Sequence, residues 1–276
     1  MALPDYRAQR ARFLTAAQNK GAEITSYPHP LPGPQGEALY TDVARLGPAT
    51  ASRLMLVVSG THGVEGYYGS DCQIAWLDAL DEKALPADTA LLLVHLINPW
   101  GAAHLRRVNE DNLDLNRNFI DFSQTVPANP DYAHWHGIYH GDRASADRQL
   151  AEALEDQSWQ AVKRVVEAGQ YTFADGFFFG GHQPSWSHLT MKAIIDQHLS
   201  VAKTILSFDL HTGAGAWGHP MLLSIAEQRY AAHEWGKTIY GEWLTVLLTG
   251  TGRDSVTGVT ATATGYLSQY LLRSLP

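Results

Sequence analysis

A chain of 276 residues, 45% hydrophobic and 17% charged, is long enough to bury a sizeable core as one large domain or two small ones. Its net charge of −8 argues against nucleic acid or an anionic membrane surface as partner, because both attract basic proteins. A single cysteine, Cys72, excludes an intrachain disulfide and fits a reducing compartment.

The N-terminus, Met1-Ala2-Leu3-Pro4-Asp5, shows no basic-then-apolar leader, and no run is long enough to span a bilayer, so a cytoplasmic location is expected. Tyr6, Phe13, Leu14 and Ala17 space out an amphipathic helix over residues 5–19. Short strands are expected at 22–27 and 38–44, separated by Pro28, Pro30, Pro32 and Pro34. Leu54–Ser59 and Leu91–Ile97 are near-continuous apolar runs, the pattern of strands covered on both faces. Residues 70–80 and 145–167 read as helices, Thr204–Leu210 and Met221–Ile225 as strands, 227–243 as a helix, and Leu267–Leu272 as a last one. This alternation predicts a single α/β domain over 1–276, with a mixed, largely parallel central sheet flanked by helices.

Two segments carry metal-binding chemistry. His62-Gly63-Val64-Glu65 follows the strand at 54–59, and Asp209-Leu210-His211-Thr212-Gly213 ends the strand at 204–210. The three-residue spacing puts His62 and Glu65 on one side of a helical turn, and strand ends of α/β sheets are where ligands bind. Two imidazoles and a carboxylate make up the ligand set of a zinc site with one open position. Between them, Asp114-Leu115-Asn116-Arg117-Asn118-Phe119 is suited to gripping a carboxylate, since a guanidinium can fork onto it. By itself Arg117 also reads as a surface ion pair and Asp114 as a turn or N-cap carboxylate. The run from His134 to Asp142 has donors enough for a second metal, yet reads as an aromatic-rich surface loop lining the cleft. Trp186 and Phe177–Phe179 read as core or cleft wall. No nucleotide-binding glycine loop or Gly-x-Ser-x-Gly elbow is present.

In this order, Gly60-Thr61-His62-Gly63-Val64-Glu65-Gly66, Asn98-Pro99-Trp100-Gly101, Arg106 through Phe119, Phe178 through Ser187 and Phe208 through Gly213 resemble the zinc carboxypeptidase superfamily, most closely a bacterial carboxypeptidase-like branch. The resemblance covers roughly residues 50–225. It implies one Zn²⁺ held by His62, Glu65 and His211, with Asp114 fixing the first histidine through its free N–H. It further implies Asn116 and Arg117 as binders of the substrate carboxylate, and Arg107, with Arg106 its nearest rival, as the oxyanion stabiliser. The substrate would be a peptide or small amide with a free carboxylate.

The family's general-base glutamate, carried on a strand beyond the third ligand, has no counterpart here. After Glu242 the only acid is Asp254. The chain therefore reads as C-terminally truncated relative to the family and as a poor catalyst, a positioned base contributing about 10²–10⁴-fold. The closing tyrosine is open among Tyr240, Tyr266 and Tyr270. An aspartoacylase-like deacylase and a zinc-binding protein without activity are the alternatives. The glutamate strand is expected between the strands carrying the first and third ligands. Its loss would leave a seam filled by residues 250–276 or by self-association into a homo-oligomer.

Overall fold

The computed structural model describes residues 4–81, 85–249 and 263–275. Along the chain its elements begin with α1 (Tyr6–Asn19), β1 (Glu23–Pro28), β2 (Tyr40–Leu46), β3 (Arg53–Ser59), α2 (Gly66–Ala79), β4 (Thr89–His95) and α3 (Pro99–Ala103). Five helices follow: α4 (Leu115–Asn118), α5 (Tyr132–Tyr139), α6 (Arg143–Asp156), α7 (Trp159–Glu167) and α8 (Trp186–His198). Then come β5 (Thr204–Leu210), β6 (Leu222–Ala226), α9 (Ala232–Tyr240), β7 (Leu244–Leu248) and α10 (Leu267–Ser274). Among these elements no helix is long and apolar enough to cross a membrane.

The chain forms two compact units. The first takes in Met1–Glu110, Ser185–Gly213 and Leu271–Pro276. It holds a mixed five-stranded sheet in the order β1-β2-β4-β3-β5, flanked by helices. β1, β2 and β4 pair antiparallel, whereas β3 pairs parallel with both β4 and β5. The strands at the centre are the apolar runs. Leu91 through Val94 of β4 are buried on both faces, while β1, at one edge, buries none of its residues. Asp5 caps α1 by accepting from the Ala8 N–H, and the helix lays Phe13 and Ala17 against Ile74, Leu77, Leu91 and Leu93. Truncating the fully buried Phe13 to alanine removes about 3–5 kcal/mol of stability.

One buried polar network fixes where β3 and β4 end. Gln73 of α2 donates to the carbonyls of Val57 (3.0 Å) and Val94 (3.1 Å) and accepts from the Ser59 hydroxyl (3.0 Å). Ser59 Oγ in turn accepts from the Leu96 N–H (3.1 Å). The loop after β3, which begins at Gly60, thus leaves the sheet from a rigid point.

The anticipated seam does not exist. β3 and β5 pair directly from Arg53↔Thr204 to Ser59↔Leu210, so the strands behind His62 and His211 are immediate neighbours. Their backbone groups are satisfied by each other, and no filler or second chain is needed there.

The second unit takes in Asp111–Pro184 and Ala214–Tyr270. Its small sheet pairs β6 and β7 in parallel. Its core gathers Tyr132, Trp135 and Ile138 of α5 with Val162 and Val166 of α7. The expected surface loop at 134–142 is therefore mostly helix, because its apolar residues recur every three positions and bury one face. The helix expected over 145–167 is two. Ser158 breaks it by capping α7, accepting from the Ala161 N–H at 3.2 Å. The helix expected over 227–243 starts later, at Ala232, and continues past α9 as a 3₁₀ turn over Gly241–Trp243, while α8 and β7 are elements that the sequence reading did not foresee.

Candidate metal centre

The pairing of β3 with β5 aligns Ser59 with Leu210, so the residues just beyond both strands emerge side by side. His62 stands in the turn after β3, Glu65 at the start of α2, and His211 directly after β5. Two backbone bonds hold this turn, the N–H groups of Gly63 and Val64 donating to the carbonyls of Arg107 (3.2 Å) and Arg106 (3.0 Å). Gly63 cannot be another residue without rebuilding, since a Cβ there would lie 2.1 Å from the Gly101 carbonyl carbon.

The three side chains converge. His62 Nδ1 lies 3.0 Å from Glu65 Oε1, and His211 Nδ1 lies 3.5 Å from Glu65 Oε2. The two imidazoles meet edge to face with centroids 4.8 Å apart. All three ligand atoms fall within 4.8 Å of one another. Zinc bonds of about 2.0–2.1 Å in a tetrahedron require donors roughly 3.3 Å apart, and the two histidine–Glu65 contacts, at 3.0 and 3.5 Å, lie on either side of that.

A second tier orients the ligands, and its principal member escaped the sequence reading. Asp209 Oδ2 lies 2.8 Å from His211 Nε2, and Asp209 Oδ1 accepts from the Thr61 hydroxyl at 2.8 Å. Carboxylates commonly hold the free nitrogen of a metal-bound histidine in this way. A signal was present: Asp209 and His211 sit two apart across the end of β5, the spacing at which strand residues share a face. Glu65 Oε2 also accepts from the Thr212 N–H (2.6 Å), and Arg107 Nη1 sits 3.5 Å from Glu65 Oε1.

The charges follow this geometry. Burial alone would raise the Glu65 carboxyl, but hydrogen bonds from His211 and His62 hold it far below the usual carboxylate range. Burial alone would lower His211, but Asp209 and Glu65, one on each nitrogen, carry it up to about 10.

Asp114, Asn116 and Arg117 belong to the second unit. Asp114 caps α4, its Oδ1 accepting from the Asn116 N–H at 2.9 Å. Asn116 Oδ1 accepts from the Leu267 N–H at 3.0 Å. Arg117 is buried, donating from Nη1 to the Asn116 carbonyl (2.9 Å) and from Nε (3.2 Å) and Nη2 to the Glu167 carbonyl. Its guanidinium lies over the rings of Tyr266 (5.1 Å) and Phe178 (5.4 Å). Of the three tyrosines, Tyr266 is thus beneath Arg117, Tyr270 packs on Phe119 at 5.5 Å, and Tyr240 ends α9. Phe179 is buried while Phe177 is exposed, and Trp186 packs edge-on against His29. Asp254, the candidate base, lies outside the described residues.

Residues 3–274 match the family described as "Protein of unknown function (DUF2817)". The chain is a member of the DUF2817 family. No curated protein matches it significantly. Among solved structures it is similar to the carboxypeptidase A of Helicoverpa armigera, with 13% identity and a TM-score of 0.55 over 99% of this chain and 62% of that one. It is also similar to bovine thrombin-activatable fibrinolysis inhibitor, solved with tick carboxypeptidase inhibitor, at 13% identity and a TM-score of 0.52 over 99% and 82% of the two chains. At such identities the likeness is one of fold, and this DUF2817 chain has the carboxypeptidase-A-like α/β fold. It spans less than two thirds of the Helicoverpa protein's length.

Proposed function

We propose that this DUF2817 protein is a zinc-dependent hydrolase that cleaves a peptide or amide bond next to a free carboxylate. The observation that carries the reading is the convergence of the ligand atoms of His62, Glu65 and His211 to within 4.8 Å, with Asp209 behind His211. A zinc ion held there supplies a Lewis acid for a carbonyl and for water. The remaining roles belong to the chain itself. Arg107 is assigned the stabilisation of negative charge growing on a carbonyl oxygen beside the ligands, a reading supported by its exposure and its 3.5 Å distance from Glu65. Thr61 and Asp209 hold the His211 ring so that Nδ1 faces Glu65. Asn116 and Arg117 are assigned the substrate carboxylate. Three of the five N–H donors of Arg117 are engaged with the Asn116 and Glu167 carbonyls, which leaves two for an incoming anion.

The test combines a metal count with hydrolysis of paired substrates. The wild-type chain should bind zinc at this centre and hydrolyse short peptides or N-acyl amino acids with a free terminal carboxylate faster than their carboxamides. His62→Ala and His211→Ala should each lose that ion and the activity. Unchanged zinc content in both variants would remove the ligand assignment. Equal rates on acid and amide would remove the carboxylate requirement and favour a simple deacylase.

A further inference from the structure

The second unit holds another group of donors, far apart in sequence. His136 and His140 lie four residues apart, at the last turn and C-cap of α5, so their rings occupy one face with centroids 4.1 Å apart. Asp175, from the loop after α7, faces both. Its Oδ1 is 3.7 Å from His136 Nε2 and its Oδ2 is 3.7 Å from His140 Nδ1. The three ligand atoms lie within 4.8 Å of one another.

The site is built rather than accidental. The His136 ring stacks on Phe173 at 4.0 Å, and its Nδ1 is buried without a hydrogen-bond partner, so Nε2 is the nitrogen presented to Asp175. The loop carrying Asp175 is pinned on both sides, because Asn112 Nδ2 donates to the carbonyls of Ala174 and Gly176 at 3.0 Å each. Gln170 Oε1 accepts from the N–H groups of Thr172 (2.9 Å) and Phe173 (2.7 Å) at the start of that loop. A Cβ at Gly176 would meet Tyr132 Oη at 2.7 Å and His136 Nδ1 at 3.1 Å, so a larger residue there would have to push these side chains aside. The backbone is therefore drawn tightly against α5 next to the acid. The His140 and Asp175 side chains are exposed, which lets them close inward and leaves solvent to complete a coordination shell.

We infer that His136, His140 and Asp175 form a second metal site, for a borderline divalent transition-metal ion such as zinc. Two imidazoles and one carboxylate favour zinc, nickel or copper over magnesium and calcium, which prefer all-oxygen shells. Bound there, the ion would tie α5 to the 172–177 loop and stabilise this unit against unfolding, because it binds the folded arrangement and not the separated chain. It belongs to different elements from the His62 centre and does not depend on the hydrolase reading.

The experiment is equilibrium dialysis of the full chain against zinc chloride, followed by metal analysis and thermal denaturation. His62→Ala/His211→Ala should retain one zinc, which should disappear when His140→Ala or Asp175→Ala is added. In the otherwise wild-type chain, His140→Ala should remove one equivalent and abolish the part of the zinc-induced Tm rise that survives in the double variant. Both added positions are exposed, and circular dichroism of each variant checks that the fold is kept. No zinc retained by a folded double variant would overturn the inference. So would an ion that persists in the double variant after both His140→Ala and Asp175→Ala.

Discussion

The segments around His62 and around Arg117 are both rich in charged and polar side chains, but they differ in what those side chains engage. At the first, Glu65 and the two histidines turn toward one another, and burial packs a carboxylate against a histidine that stays protonated without metal. At the second, Arg117 is buried and donates to the carbonyls of Asn116 and Glu167, with its guanidinium over the Tyr266 ring. The first arrangement is one that could hold a cation. The second already engages three of its guanidinium donors with backbone carbonyls. Charged side chains with similar sequence signals can thus differ in what their removal does, and the difference lies in which partners remain behind.

Arg117→Ala is the sharpest way to break that comparison. It should cost about 3 kcal/mol, because the two carbonyls lose their donors and a buried volume is emptied. Arg117→Lys should recover less than half of this, since a lysine cannot fork across two acceptors. Arg107→Ala, at an exposed position, should change stability by less than about 0.5 kcal/mol. Its effect should instead be a roughly 10²-fold fall in turnover, the size of a lost oxyanion donor. Urea denaturation of the three variants reads the contrast. Equal stability of Arg117→Ala and Arg107→Ala would erase it.

Asp209→Asn sharpens the same comparison on the metal side. The variant keeps the shape and loses the charge behind His211. Zinc affinity should fall about 10–100-fold, the usual cost of losing a carboxylate that orients a histidine ligand. Thr61→Val, which removes the hydroxyl on the far oxygen of Asp209, should have a smaller effect in the same direction. Competition with a chromophoric chelator measures both. An unchanged affinity in Asp209→Asn would mean that the 2.8 Å contact to His211 is incidental.

How much of this could be read beforehand depends on the range of the contacts. The three ligands were legible because each follows an apolar strand and their residue types select a metal. The direct pairing of β3 with β5 was not, because strand order is set by contacts some 150 residues apart and leaves no local trace. α8 was hidden by its own buried face, which carries His188, Thr190 and His198 among Met191, Ile194 and Ile195 and so lacks a clean apolar stripe. β7 is a five-residue apolar run, too short for periodicity to separate it from the end of a helix. His136 and His140 were visible as a pair, but Asp175 comes to them only through the fold. Asp209 alone was readable and overlooked.

The pH dependence of stability gives the subtlest test, because it should differ between the metal-free and zinc-bound protein. In the metal-free chain the His211 pKa is raised from its ordinary value near 6.5 to about 10, so its stabilising contribution is complete below about 6.5 and is lost as pH climbs through 10. Glu65 is depressed, so its contribution is complete above its ordinary value of 4.5 and lost as pH falls well below that. The pair therefore supports the metal-free fold most strongly between about pH 4.5 and 6.5, with a decline toward alkaline pH. Zinc takes the His211 nitrogen that bears the proton, and metal binding near neutral pH should release about one proton per ion. The zinc-bound protein should accordingly lose the alkaline decline. Tm measured from pH 6 to 10 with and without zinc reads the first effect, and titration calorimetry in buffers of different ionisation enthalpy reads the second. Parallel Tm curves with no proton release would show that His211 is neutral before the metal arrives, and the charge contrast between the two segments would fall with it.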